Sequence, residues 1–317
     1  MKKILLGSTG IEVTELCFGA LPIGPLQKNM HPEESAEVVA EALRSGINFV
    51  DTAQMYKTYE PICIAMKKTE IRPVIATKST AATYEEMEEA IHEALDKLDI
   101  EVIDIFLLHA ARMGADVFEL RKEALKCLLD YKNKGIIKAV GISTHMVETV
   151  RKNPPKNPDI DIVFPIINKT GMGILGGMRE EMEVAVNECL TQRKGVYLMK
   201  ALAGGNLIGD YMDALNYIRG FANGKASISM GMVSKKEVEM NIGYFNDVDI
   251  SEQAGKLKKS DKEFYISPVV CRQCRKCADV CHNNAISDDT QPVIDTKKCL
   301  QCGYCVSACP QFAIRMI

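Results

Sequence analysis

Two copies of one cysteine spacing carry the strongest chemical signal in the chain: Cys271-x2-Cys274-x2-Cys277-x3-Cys281, then Cys299-x2-Cys302-x2-Cys305-x3-Cys309-Pro310. A Cys-x2-Cys-x2-Cys run wraps one backbone loop around an iron-sulfur cubane and supplies three thiolates, while the fourth cysteine of each copy serves the other cluster. On this rule Cys271, Cys274, Cys277 and Cys309 bind one [4Fe-4S] cluster, and Cys299, Cys302, Cys305 and Cys281 bind a second. Zinc sites more usually join two separated Cys-x2-Cys pairs than closely spaced triplets. A disulfide framework would need an export signal, and the apolar run Ile4 to Leu6 before Gly7 is too short to form one. The other cysteines, Cys17, Cys63, Cys127 and Cys189, stand singly in apolar surroundings, where cysteine behaves as a small buried hydrophobe.

A second constellation consists of polar residues that close apolar runs. Asp51 follows INFV, Lys78 follows PVIAT, His109 ends DIFLLH, and Tyr56 comes five residues after Asp51. A carbonyl becoming an alcohol needs a proton on oxygen as hydride reaches carbon, and a tyrosine can deliver it. Unassisted, tyrosine titrates near about 10. A lysine ammonium about 4 Å away is worth on the order of 4 kcal/mol at an effective dielectric near 20, or about three pKa units before desolvation subtracts. Lys78 is therefore expected to bring Tyr56 toward working pH. Asp51 would keep Lys78 charged and aimed, and His109 would hydrogen-bond the substrate oxygen. Singly, each has a plainer reading: a structural histidine, a turn-capping aspartate, a solvated lysine. Their order after three successive strands favours the joint one.

The elements that would position these groups are legible as periodicity. After a hairpin around Gly7 to Gly10 come the strand-like runs VTELCFG, INFV, PVIAT, DIFLLH, IIKAVGI, DIVFPII, GVYLM and ASISM, separated by helical patterns such as PEESAEVVAEALRSG and YEEMEEAIHEALDKL. Eight strands alternating with helices fit an α/β fold of the closed (β/α)8 TIM barrel type over residues 1–250, although periodicity alone also allows a doubly wound sheet. Residues 251–268 read as a polar linker with room for a short helix, and 269–317 as a small α+β domain built around the cysteines. A net charge of −3 and a pI near 6.0 give no drive toward nucleic acid or an anionic membrane. No apolar stretch reaches membrane-spanning length, so a cytoplasmic protein is expected.

The tail resembles bacterial-type two-cluster ferredoxins over all of its roughly fifty residues, departing at His282, where the first copy often has proline. SGINFVDTAQMY, VIATKS, IDIFLLH and KAVGIS resemble motifs of the aldo-keto reductases over about Gly7 to Asn241, and the cysteine tail resembles a ferredoxin-containing branch of that family. The resemblance implies the (β/α)8 barrel and assigns Asp51, Tyr56, Lys78 and His109 to the catalytic tetrad, with Tyr56 as the acid. It also implies a nicotinamide dinucleotide lying extended across the barrel mouth. The contacts implied are Ser143 and Asn168 at the carboxamide, Lys200 with Met199 where an aromatic ring commonly stacks, and Gly231, Ser234 and Asn241 in the adenosine-phosphate segment. Glu237 replaces the arginine that often grips a 2′-phosphate, with Lys235 or Lys236 as substitutes. The N-terminus of the helix beginning near Ser234 is itself suited to phosphate. NADP, NAD and a barrel supplied with electrons by its clusters, with little or no nicotinamide, all remain open.

The expected function is an oxidoreductase acting on a small carbonyl or alcohol, coupled to one-electron transfer through two [4Fe-4S] clusters and to a redox partner protein. The alternative is an electron-transfer or redox-sensing protein on a non-catalytic barrel scaffold.

Overall fold

A computed structural model of the chain describes all residues except Asn153, 258–262, His282, 300–302 and Ile317, together with the side chain of Ser307. Cys302, expected as a cluster ligand, and His282 thus lie outside the described residues. The chain opens with an antiparallel hairpin of β1 (Lys3–Leu5) and β2 (Glu12–Thr14). Eight parallel strands follow: β3 (Leu16–Gly19), β4 (Phe49–Asp51), β5 (Val74–Ser79), β6 (Ile103–His109), β7 (Ile137–Thr144), β8 (Ile162–Pro165), β9 (Gly195–Leu198) and β10 (Ser227–Gly231). β10 pairs with β3 and closes the barrel. The run expected as one first strand, VTELCFG, is divided between hairpin and barrel. The break falls at Glu15, whose carboxylate accepts from Arg219 Nε and Nη2 at 2.9 and 3.0 Å.

Two-residue alternation decides what enters the barrel. Phe49, Ala76, Ile105 and Leu107 point inward and pack with hairpin residues Ile4, Leu6, Ile11 and Val13, which seal the N-terminal end. Val50, Phe106 and Leu108 point outward beneath the helices. Continuing the inward parity by two residues per strand brings Asp51, Lys78 and His109 to the C-terminal mouth. The outer helices carry ordinary end signals. The helix Pro32–Arg44 starts on proline with Glu33 and Glu34 in its first turn, and Tyr84–Leu98 is held by a Thr83/Glu86 capping box. No described helix is long and apolar enough to cross a membrane.

The stretch expected as linker contributes a helix at Ser251–Gly255 and, at Phe264–Ile266, a strand β11 that pairs antiparallel with β12 (Ile314–Met316). Phe264 and Ile266 are buried on either side of the half-buried Tyr265, a period of two inside a short apolar run, so the tail begins several residues earlier than its composition suggests. Between the two strands lie the cysteine loops and two short helices, Lys276–Asp279 and Tyr304–Ala308.

The tail packs across the C-terminal mouth of the barrel. Arg112, after β6, donates to the Gln311 side chain and carbonyl. A Cβ on Gly173 would fall 2.4 Å from the Phe312 ring, and one on Gly205 would fall 2.3 Å from the Met316 carbonyl oxygen. These two glycines leave the room that the tail fills. Gly205 has φ +90°, nearly that of Gly46 at +92°, yet a Cβ on Gly46 would meet nothing. Gly46→Ala should therefore carry only the left-handed backbone penalty, of about 1–2 kcal/mol. Gly205→Ala should lose clearly more and should expose the tail to protease; equal melting temperatures for the two variants would show that the contact contributes nothing.

Candidate active site

Lys78 is fully buried, and its ammonium donates to Asp51 Oδ1 at 2.7 Å, Asp51 Oδ2 at 2.8 Å and the Thr52 carbonyl at 2.7 Å. All three N–H bonds are thus used. Burial pulls the Lys78 ammonium down and pushes the Asp51 carboxyl up, while each partner opposes the shift of the other. Tyr197, inward-facing on β9, donates its hydroxyl to Asp51 Oδ1 at 2.9 Å and stacks on Phe164 with ring centroids 3.8 Å apart. Lys78 Nζ lies 4.8 Å from the Tyr56 ring centroid and 5.1 Å from that of Phe164. The aspartate, the lysine and three aromatic rings form one packed unit. Reasoning from sequence misses Tyr197; the signal available is a phenol in the middle of the apolar run GVYLM, where a hydroxyl needs a buried partner.

The expected effect of Lys78 on Tyr56 is corrected by this geometry. Burial, and next the Asp51 carboxylate, push the Tyr56 phenol well above its ordinary range, and the only opposing charge of note is Arg315 from the tail. Burial outweighs the help expected from Lys78, whose three N–H bonds all go to Asp51 and Thr52. A phenol held protonated has the proton a substrate oxygen needs, and releases it only as that oxygen becomes strongly basic.

His109 meets Tyr56 edge-on, with centroids 5.8 Å apart, and follows the inward parity of β6 beside Ser143 of β7. Burial, followed by Lys78, Arg121 and Lys200, lowers its imidazole to about 3. Its buried Nδ1 has no hydrogen-bond partner among the described residues. A neutral imidazole with a free nitrogen can serve a substrate oxygen.

An open cavity of about 1140 Å³ runs from Asp51 and Tyr56 past Met199, Lys200, Gly204 and Gly205 to Gly231, Glu237 and Asn241, with Met316 of the tail in its wall. Of the expected dinucleotide contacts, Lys200, Gly231 and Asn241 line it. Ser143, Asn168 and Ser234 do not. Asn168 spends its amide on its own loop, accepting from Thr170 N, Thr170 Oγ1 and Met172 N and donating to the Met172 carbonyl. Asn241 accepts from the Tyr211 hydroxyl and donates to the Glu237 carbonyl, both at 2.7 Å. Ser234 caps the helix Lys235–Phe245 by accepting from Glu237 N, and the Glu237 carboxylate accepts from Val233 N at 2.8 Å. Lys235 faces Glu37 at 3.5 Å. Where a 2′-phosphate would require cations, this end of the cavity presents a carboxylate.

Cys281, Cys299 and Cys305 line one apolar cavity of about 440 Å³. Cys277 is raised by burial, and the neighbouring Cys309 and Cys271 thiols add to the shift, so these three form the other neighbourhood. Backbone N–H groups of Gln273, Ala285 and Ala313 point at the sulfurs of Cys271, Cys281 and Cys309 at 3.2–3.3 Å, the pattern that stabilises thiolates. Among the described residues no three His, Cys, Asp or Glu side chains converge closely enough to hold a single ion. The donor set suits larger thiolate-bound cubanes. The Cys309 neighbourhood adjoins the barrel site through Arg315, which feels both Cys309 and Tyr56 and rests on the Phe312 ring with 4.4 Å to its centroid. No signal in the sequence points to Arg315.

The Aldo/keto reductase family profile matches residues 15–220, and a 4Fe-4S binding domain profile matches residues 292–315. The first match covers more than half of the chain, which therefore belongs to the aldo/keto reductase family. Similar curated proteins include L-galactose dehydrogenase of Arabidopsis thaliana, 26% identical over 178 residues, with 50% of this chain and 54% of that protein covered. Methylglyoxal reductase DkgA of Escherichia coli (strain K12) is 27% identical over 140 residues, with 43% and 48% covered. The chain thus spans about half the length of these relatives. Among solved structures, aldo-keto reductase AKR11C1 from Bacillus halodurans in its holo form superposes with a TM-score of 0.64 at 19% identity, covering 81% of this chain and 94% of that one. The Bombyx mori aldo-keto reductase AKR2E4, solved in complex with NADP, gives 0.57 at 16% identity, covering 79% and 90%. At these identities the likeness shows the fold.

Two measurements probe the site's electrostatics. Asp51→Asn and Lys78→Met should each destabilise the protein by about 3–5 kcal/mol, because each leaves one buried partner uncompensated, and the double variant should lose less than their sum. Urea unfolding of the four proteins under anaerobic conditions checks this, and strict additivity would contradict it. For His109, the unfolded imidazole takes a proton near 6.5 and the folded one only near 3, so its contribution to stability is complete above pH 6.5 and is lost as pH falls toward 3. His109→Gln should therefore flatten the fall of melting temperature across that window; an unchanged slope would mean the imidazole is not held neutral.

Proposed function

We propose that this chain reduces a carbonyl to an alcohol, or runs the reverse reaction, at the barrel mouth, with Tyr56 as proton donor and with one-electron transfer through two [4Fe-4S] clusters. The observation that carries this reading is Arg315: one tail residue is electrostatically coupled both to Tyr56 and to Cys309, so the iron-sulfur half and the proton donor meet at one place. Asp51 and Tyr197 fix the Lys78 ammonium under the Tyr56 ring, which orients the phenol. His109 offers a neutral nitrogen to the substrate oxygen, and Tyr56 passes its proton to that oxygen as negative charge develops there.

Cys271, Cys274, Cys277 and Cys309 would hold one cluster and Cys281, Cys299, Cys302 and Cys305 the other; such clusters supply single electrons. A nicotinamide dinucleotide, which supplies hydride, would lie along the cavity between Tyr56 and the Gly231 and Asn241 end. Glu237 at its far end suits a ribose hydroxyl better than a phosphate, which favours NAD over NADP. Replacement of the stacking aromatic by Met199 and Lys200 favours a second arrangement, in which the tail delivers the electrons.

Methylglyoxal, the compound for which the E. coli relative is named, is a suitable first substrate, assayed anaerobically with NADH, NADPH or reduced methyl viologen. Tyr56→Phe should lower turnover about 10²- to 10⁴-fold with iron content and cluster spectra unchanged. Equal rates would favour a non-catalytic scaffold. Cys309→Ser should abolish viologen-driven turnover. Full NAD(P)H-driven activity in that variant would confine the clusters to another role.

A further inference from the structure

The loop after β9 and the docked tail gather cations that have no carboxylate to balance them. Lys200 lines the cavity beside Tyr56, and its backbone sits in the left-handed region at φ +66°, a conformation a lysine rarely takes without being held there. Its ammonium has neither a hydrogen bond nor an ion pair among the described residues. Its charged neighbours are Arg315 and Lys78, which together with burial push it well below the ordinary lysine range. Lys78 is committed to Asp51. Arg315 donates to the Phe312 carbonyl, and Arg112 donates to Gln311, so among the described residues their hydrogen-bond partners are neutral. The one carboxylate further along the cavity, Glu237, accepts from Val233 N at 2.8 Å. Arg112 and Arg315 both feel Cys309, whose cluster would balance them. Lys200 has no such neighbour.

A half-buried ammonium with no counter-charge among the described residues is unfavourable, an anion bound beside it would hold it charged, and the cavity it faces is where a substrate must sit. We infer that Lys200 is an anion-recognition residue and that the substrate carries a carboxylate next to its carbonyl, as a 2-oxo acid does. Tyr56 would then address the carbonyl oxygen while Lys200 holds the carboxylate, fixing which face of the carbonyl is presented. This rests on the barrel mouth being the carbonyl site, but anion recognition can be read without turnover.

Calorimetry on the anaerobically prepared full chain would compare oxamate, a 2-oxo-carboxylate isostere, with neutral acetamide, and would add ADP to represent the diphosphate of a dinucleotide. Wild-type protein should bind oxamate at least 10-fold more tightly than acetamide, and raised salt should shrink the gap. Lys200→Met should remove at least 10-fold of the oxamate affinity, leave acetamide unchanged and leave ADP within about 2-fold, while Lys200→Arg restores most of the loss. Equal binding of oxamate and acetamide by the wild type overturns the inference without any variant. Loss of ADP rather than oxamate affinity in Lys200→Met also overturns it, assigning the charge to a dinucleotide. If oxamate binds as described and Tyr56→Phe still turns over at the wild-type rate, the anion site stands and the reductase reading falls.

Discussion

The ion pair of Lys78 with Asp51 is the constraint around which the barrel mouth is arranged. An ammonium with no exposed surface is tolerable only when every N–H is satisfied and a counter-charge is in contact. Asp51 supplies two acceptors and the Thr52 carbonyl the third. That requirement fixes β4 against β5. It recruits the Tyr197 hydroxyl from across the barrel, and Tyr197 stacks on Phe164 to close the inner layer beneath the site. The face of the Tyr56 ring then lies over the ammonium, which places the phenol without hydrogen-bonding it. The lysine positions the tyrosine more than it acidifies it.

The tail completes what the barrel leaves open. Gly173 and Gly205 have no side chain where Phe312 and the Met316 carbonyl arrive, so the two loops and the tail fit as complementary surfaces. Docking brings Arg315 to a mouth where the barrel already places Arg112, Lys78, Lys200, His109 and, just after β7, the buried His145. Burial first, and then the like charges around them, explain why His109 and His145 are held neutral and why Lys200 is depressed. Such a field favours a bound anion, and the thiolate-rich tail supplies part of one.

Much of this is legible in the sequence because it follows from local rules. Eight apolar runs correspond to eight barrel strands, and the residues ending INFV-D, PVIAT-K and DIFLLH lie at one mouth because side chains alternate with period two. What escapes depends on contacts between distant segments. Tyr197 and Arg315 lie 146 and 264 residues from Asp51 in the chain, and nothing local marks either as a partner of the site. The acidity of Tyr56 is misjudged from sequence for the same reason: spacing suggests one neighbour, Lys78, whereas the fold supplies Asp51, desolvation and Arg315 together. Asn168 and Asn241 show that a family position can keep its residue while the amide serves its own loop or helix.

The charges also bear on direction. On the proposed chemistry, reduction needs a phenol that keeps its proton until the substrate oxygen becomes basic, whereas oxidation needs a phenolate to accept one. Burial and Asp51 stabilise the protonated form, and Lys78 is paired with Asp51, so the barrel's own charges keep the proton on the phenol. Arg315 alone works against this bias, and it belongs to the tail. If a cluster is held beside Cys309, an electron added to it would screen Arg315 and leave the phenol more firmly protonated. In this way a one-electron module can bias a proton-transfer step by electrostatics, without any change in shape.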